Sequence, residues 1–133
     1  MTEQTLLRSH DEWAKSIRNF AWLHKAVSGA MDIDMMVERR GSFLFVEGKP
    51  WSNGVRLPYG QHKALYALST APNTRVYLVG EGREHLHVLC YNDAPPPVYL
   101  RGKRMSFYPP ERFVPTTKEA FAKMVNAWWK DQG

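Results

Sequence analysis

The chain has little cysteine, no long apolar run and no repeated or low-complexity tract, and each absence narrows what it is able to be. Its single cysteine, Cys90, has no partner for an internal disulfide, which excludes a disulfide scaffold and agrees with a reducing compartment. No apolar stretch approaches the roughly 20 residues that a helix needs to cross a bilayer. The opening "MTEQTLLRSHDEW" has neither the basic segment nor the apolar segment of a secretory signal, so a cytoplasmic protein with no membrane partner is expected. With 133 residues, 44% apolar and 23% charged, the composition is that of a folded globular chain, and one domain over residues 1–133 is the working expectation. Acidic residues are outnumbered: 18 lysines and arginines against 13 aspartates and glutamates give a net charge of +5 and a pI near 9.5. Such a balance favours polyanionic partners without naming one.

The hydrophobic pattern alternates between helical and strand periods. Ser9 and Glu12 stand at capping-box spacing ahead of Trp13, Ile17, Phe20 and Ala21, which predicts a first helix ending near Ser28-Gly29. "DIDMMVERRGSFLFVEGK", residues 32–49, alternates on both sides of a turn containing Gly41 and predicts a β-hairpin of undetermined turn type. "PWSNGVRLPYG" is rich in turn formers and predicts a loop, followed by a short helix in "QHKALYALSTA". "RVYLVG" and "EHLHVLCY" predict two further strands, and "VYL" and "MSFY" short edge strands inside a proline-bounded region. A last helix is predicted after Pro115, with Thr116 and Glu119 as its capping box and Phe121, Met124, Val125 and Trp128 as its apolar stripe. The order indicates an α/β domain bordering on α+β, with a small mixed sheet around a central hairpin and helices at its flanks.

The hairpin carries charges where a strand feeding a core would carry aliphatic residues. Alternation puts Asp32 and Asp34 on one side of their strand, and Glu47 and Lys49 on one side of theirs. If the register brings those sides together, carboxylates and an ammonium converge. That is a site for a hard cation such as Mg²⁺ or Mn²⁺, which takes one or two carboxylates and keeps several waters. Asp34 and Glu47 are the candidate ligands, with the Gly48 carbonyl as a third and Asp32 as the runner-up to Asp34. Lys49 would orient or help deprotonate an attacking water and offset charge on a phosphate. An incidental cross-strand ion pair on a solvated face is the competing account.

These residues resemble the PD-(D/E)xK phosphodiesterases, a nuclease superfamily that includes restriction endonucleases, Holliday-junction resolvases and RecB-type nuclease domains. Its pattern is an aspartate on one strand, a glycine-containing turn, and an acidic-x-Lys on the next strand, and here Asp34, Glu47, Gly48 and Lys49 occupy those places. The "ID" start favours Asp34 over Asp32. Gln61, at the start of the following helix, resembles the glutamine that in several branches lies near the active site, and Lys63 is placed to contact phosphate. Many members also carry a metal-binding glutamate on the first helix; Glu12, the glutamate available there, already has a capping role. The likeness spans residues 10–80, with its motifs in 32–66. It implies a restriction-endonuclease-like core and a Mg²⁺-dependent deoxyribonuclease, with cleavage inside the strand favoured, and it suggests a phage or mobile-element origin with the host cytoplasm as location. The DNA would be duplex, single-stranded or branched, and a homodimer is conceivable by analogy with resolvases. The alternatives are a non-catalytic nucleic-acid- or protein-binding module on the same scaffold, and a basic surface serving an acidic protein.

Elsewhere, Arg101, Lys103 and Arg104 form the densest basic cluster and are the candidate phosphate strip, against the alternative of a charge-guarded edge strand. Arg39 and Arg40 in the hairpin turn are expected to be solvated. His85 and His87 share a strand side while Cys90 falls on the other, so a structural zinc, which needs four ligands, is not expected.

Overall fold

The structure, a computed structural model, describes residues 33–93, 97–100 and 104–133, with residues 98–100 described by backbone alone. The expected first helix, its Ser9/Glu12 cap and Asp32 lie outside the described residues, as do Arg101 and Lys103.

Chain order runs β1 (Met35–Arg39), β2 (Ser42–Pro50), β3 (Val55–Pro58), α1 (Tyr59–Ser69), β4 (Thr74–Glu81), β5 (Leu86–Cys90), β6 (Val98–Leu100), β7 (Met105–Tyr108), a 3-10 turn (Pro110–Arg112), β8 (Val114–Thr116) and α2 (Lys118–Asp131). The strands form a five-stranded sheet in the order β1-β2-β4-β5-β8 and a three-stranded sheet in the order β3-β7-β6. The larger sheet is mixed: β2 and β4 run parallel and its other pairs are antiparallel. A parallel pair cannot be joined by a tight turn, and β3 with α1 supplies the crossover.

The hairpin is two strands closed by Arg40-Gly41, both at positive φ (52° and 82°) between the paired Arg39 and Ser42. That is the type I′ geometry whose twist matches the strands it joins. The Gly41 N–H also donates to the Glu38 carboxylate at 2.9 Å. Within the described residues the hairpin lies at one end of the sheet, with β1 on the edge.

Alternation along β2 and β4 divides the core. On one side Leu44, Tyr77, Val79, Leu86 and Val88 are buried together, with Phe121, Val125 and Trp128 of α2 packed on them. The Phe121 ring meets Tyr77 edge-on with centroids 5.8 Å apart. On the other side Val76 and Leu78 are fully buried, and α1 makes its contacts there with β4, β3 and β7. The helices therefore flank the sheet on opposite faces, as the order of elements indicated.

Three local expectations are revised. The loop "PWSNGVRLPYG" contains β3, whose Val55 and Leu57 alternate buried with exposed Arg56 and Pro58. β7 is the middle strand of the smaller sheet, with β3 and β6 on either side. The last helix is capped by Thr117, whose hydroxyl accepts from the Ala120 N–H at 3.1 Å, because Thr116 is engaged opposite Leu86 in β8. No helix among the described residues is long and apolar enough to cross a membrane.

Candidate active site

The register places the motif residues at one end of the hairpin. Met35 pairs with Val46, so one step further Asp34 stands across from Glu47. The Asp34 carboxylate closes the ladder where β1 stops: its Oδ2 accepts the Gly48 N–H at 2.7 Å. Glu47 and Lys49 alternate with Gly48 on β2 and project toward the α1 side, and Lys49 Nζ lies 3.6 Å from Glu47 Oε1. The Asp34 Oδ2 lies 3.4 Å from the point that a Gly48 Cβ would occupy. The two carboxylates thus flank the Gly48 backbone instead of lying flat on one face.

Glu47 is the unusual residue of the set. It is 4% exposed, and its Oε2 is buried without a hydrogen-bond partner. Burial pushes its carboxyl pKa above the ordinary value; the Asp34 charge pushes the same way, and the Lys49 ammonium and the Asp34 backbone N–H offset only part of this. A buried carboxylate with an unused oxygen carries an unfavourable desolvation cost unless a cation or donor meets it.

A neighbour that sequence reasoning missed is Glu81, the last residue of β4. Its carboxyl carbon lies 3.7 Å from the same Gly48 Cβ point, and Asp34, Gly48, Glu81 and Lys118 help to line an open cleft of about 470 Å³. The available signal was the charge ending the apolar run "VYLVG", but its relevance depends on the parallel pairing of β2 with β4, which places Glu81 beside Pro50.

The observation that bears on whether a hard divalent cation suits Glu47 is its unpartnered oxygen, which fits an oxygen-ligated cation that keeps much of its water. The space beside Gly48, between the Asp34 and Glu81 carboxylates, opens on the α2 side of the sheet instead. Among the described residues no group of three or more His, Cys, Asp or Glu converges as a ready metal cage, so the fit is to a site with few protein ligands. Asp34 and Glu47 would hold the ion; of Gly48, the expected third ligand, the N–H is the group that Asp34 engages.

Gln61 sits in the first turn of α1 with its Oε1 buried and unpartnered. Lys63 is exposed on the same helix, its Nζ 5.5 Å above the Tyr59 ring. Arg104 is exposed in a turn at φ 47°, and its carbonyl accepts the Tyr59 N–H. Of the hairpin arginines, Arg39 is engaged: its guanidinium lies 4.6 Å from the Trp129 ring and donates to the Trp129 carbonyl at 3.0 Å. His87 stacks on Trp51 with ring centroids 3.7 Å apart. The Trp51 indole occupies the space over Gly80, where a Cβ would come within 2.5 Å of it.

Searches of known proteins returned no matching family model, no matching curated protein and no matching solved structure.

Proposed function

We propose that the protein is a divalent-metal-dependent nuclease that hydrolyses phosphodiester bonds in DNA, with Asp34 and Glu47 holding Mg²⁺ or Mn²⁺ and Lys49 acting beside them. The observation that carries this reading is Glu47: buried, opposite Asp34, 3.6 Å from an ammonium, and left with an oxygen that no protein group uses. The order of Asp34, the type I′ turn, Glu47, Gly48 and Lys49, followed by a helix carrying Gln61, supports the resemblance to the PD-(D/E)xK phosphodiesterases.

When bound, the cation would supply charge neutralisation for the phosphate and a more acidic water. The residues do the rest. Asp34, braced by the Gly48 N–H, keeps its second oxygen free for the ion. Glu47 fixes the ammonium of Lys49 at the sheet end. Lys49, partly exposed at 23%, is able to hold the attacking water and offset the charge that grows on the phosphoryl oxygens. In the reaction the water oxygen bonds to phosphorus as the bond to the leaving oxygen breaks; the water loses a proton and the leaving oxygen gains one. Exposed Lys63 and Arg104 supply cationic contacts for the strand, in keeping with the chain's positive charge. Divalent-dependent cleavage by the wild type and its loss in Lys49→Ala test the reading. DNA binding without cleavage under every cation would instead indicate a binding module on this scaffold.

A further inference from the structure

The exposed side of α1 carries two tyrosines and a lysine that packing does not account for. Tyr59, Lys63 and Tyr66 follow one another at steps of four and three residues, the spacing that lines side chains along one helix face. Tyr59 is 39% and Tyr66 54% exposed, whereas Tyr77, Tyr91 and Tyr108 are buried. Among the described residues the other exposed large aromatic is Trp129, and its ring already meets the Arg39 guanidinium.

The two exposed rings rest on an anchored side chain. Between them His62 is buried, its Nδ1 in a hydrogen bond with the Tyr108 hydroxyl and its ring centroid 6.2 Å from that of Tyr91. The same imidazole lies 6.3 Å from the Tyr59 ring and 6.2 Å from the Tyr66 ring, centroid to centroid. Rings held in place this way lose little freedom when a flat ligand stacks on them.

The charge of the face selects the ligand. The helix, "YGQHKALYALS", contains no acidic residue. Lys63 is exposed with its Nζ 5.5 Å from the Tyr59 ring. Exposed Arg104 stands at the start of the helix, where its carbonyl accepts the Tyr59 N–H at 2.9 Å. Gly60 is exposed beside them, and no atom crowds the point that its Cβ would occupy. Exposed aromatic rings flanked by cations suit a polyanion whose bases are open to stacking, which is the case in a single strand and not in a duplex.

We propose that this face of α1 binds single-stranded DNA, with bases stacked on Tyr59 and Tyr66 and phosphates met by Lys63 and Arg104. Seven residues of helix place the two tyrosines about 10 Å apart, a distance that about three nucleotides cover at the rise of a stacked strand. The connection carrying α1 leaves β2 just after Lys49 and rejoins the sheet at Thr74, so a strand lying along the face is directed toward Lys49. That DNA is the polyanion, and that it is delivered for cutting, rests on the nuclease reading above; the stacking face does not.

The test is fluorescence anisotropy in EDTA, so that cleavage does not intervene, with full-length wild type, Tyr66→Ala and Tyr66→Phe. The probes are a labelled oligothymidylate, an abasic strand of the same length and a duplex of the same length. Wild type is expected to bind oligothymidylate about 5- to 150-fold more tightly than the abasic strand, the range for a stacked base. Tyr66→Ala should lose a factor in that range on oligothymidylate and nothing on the abasic strand, while Tyr66→Phe, which keeps the ring, binds as wild type does. Tyr66 lies outside the core, so these substitutions spare the fold. Equal binding of the two single strands by wild type, a duplex bound more tightly than oligothymidylate, or full affinity in Tyr66→Ala each overturns the proposal, whether or not the protein cuts duplex DNA. Base-dependent binding by a protein that cuts no DNA in Mg²⁺ or Mn²⁺ upholds the stacking face and removes the nuclease reading.

Discussion

Glu47 is held in the fold at a cost, and that cost has a pH signature. Its folded pKa is raised, by burial and then by the Asp34 charge, so the folded state binds a proton more readily than the unfolded chain does. Its contribution to stability is then fully present below the ordinary value of 4.5 and is lost as pH rises through the raised folded pKa. Glu47→Gln, which cannot ionise, is expected to melt higher than wild type at neutral pH without divalent cation, and the difference should shrink below pH 4.5. Thermal unfolding across pH checks it, and a lower melting temperature for Glu47→Gln at neutral pH would contradict it. Addition of Mg²⁺ should reverse the ranking, because a ligand bound only by the folded wild type adds stability that the variant lacks. At this scale alternation and a hairpin turn, which are local properties, were enough to put Asp34, Glu47 and Lys49 at one end of a hairpin, but not to foresee that the two carboxylates flank the Gly48 backbone rather than share a face. Tyr91, Tyr108 and His62 were illegible because they are far apart in the chain, and only the packing of the smaller sheet and α1 against β4 and β5 brings them together.

Among the elements, the end of β2 depends on Gly48. Its φ is not in the left-handed region, so alanine is conformationally tolerated there, and the added Cβ would lie 3.4 Å from Asp34 Oδ2 and 3.7 Å from the Glu81 carboxyl. Those are ordinary contact distances, and alanine restricts the unfolded chain more than glycine does. Gly48→Ala is therefore expected to fold with a melting temperature equal to or above wild type while binding Mg²⁺ about tenfold more weakly, because the methyl group crowds the carboxylate of Asp34, one of the two proposed ligands. Calorimetric titration beside a thermal melt distinguishes this from simple destabilisation. The hairpin, both described helices and the strands β4 and β5 were legible because each has its own period and boundary residues. β3 was not: a four-residue strand between Gly54 and Tyr59 gains its identity from pairing with β7, from Val55 opposite Tyr108 to Pro58 opposite Met105. Thr116 and Thr117 both read as caps, and the choice was made by the pairing of Thr116 with Leu86.

Taken whole, the molecule carries a net charge of +5, and its proposed partner is a polyanion. Lysines and arginines that meet phosphates displace condensed cations, so the logarithm of DNA affinity is expected to fall linearly with the logarithm of salt concentration. Lys63→Ala should reduce that slope by about one unit without altering Mg²⁺ affinity. Fluorescence anisotropy over a salt series measures the slope; a slope indifferent to salt would indicate that the positive charge serves another purpose. Net charge was legible from composition alone, whereas its distribution over the surface depended on the fold: Arg39, expected in solvent, is spent on Trp129 at the far end of α2.

The measurement that reaches the central claim most directly is cleavage of supercoiled plasmid, single-stranded circles and a four-way junction by wild type and Lys49→Ala, in Mg²⁺, Mn²⁺ or EDTA. Divalent-dependent cutting by wild type is predicted, abolished by EDTA and reduced at least about 100-fold in a Lys49→Ala protein that remains folded. Cutting that persists in EDTA, or that Lys49→Ala retains in full, would contradict the account.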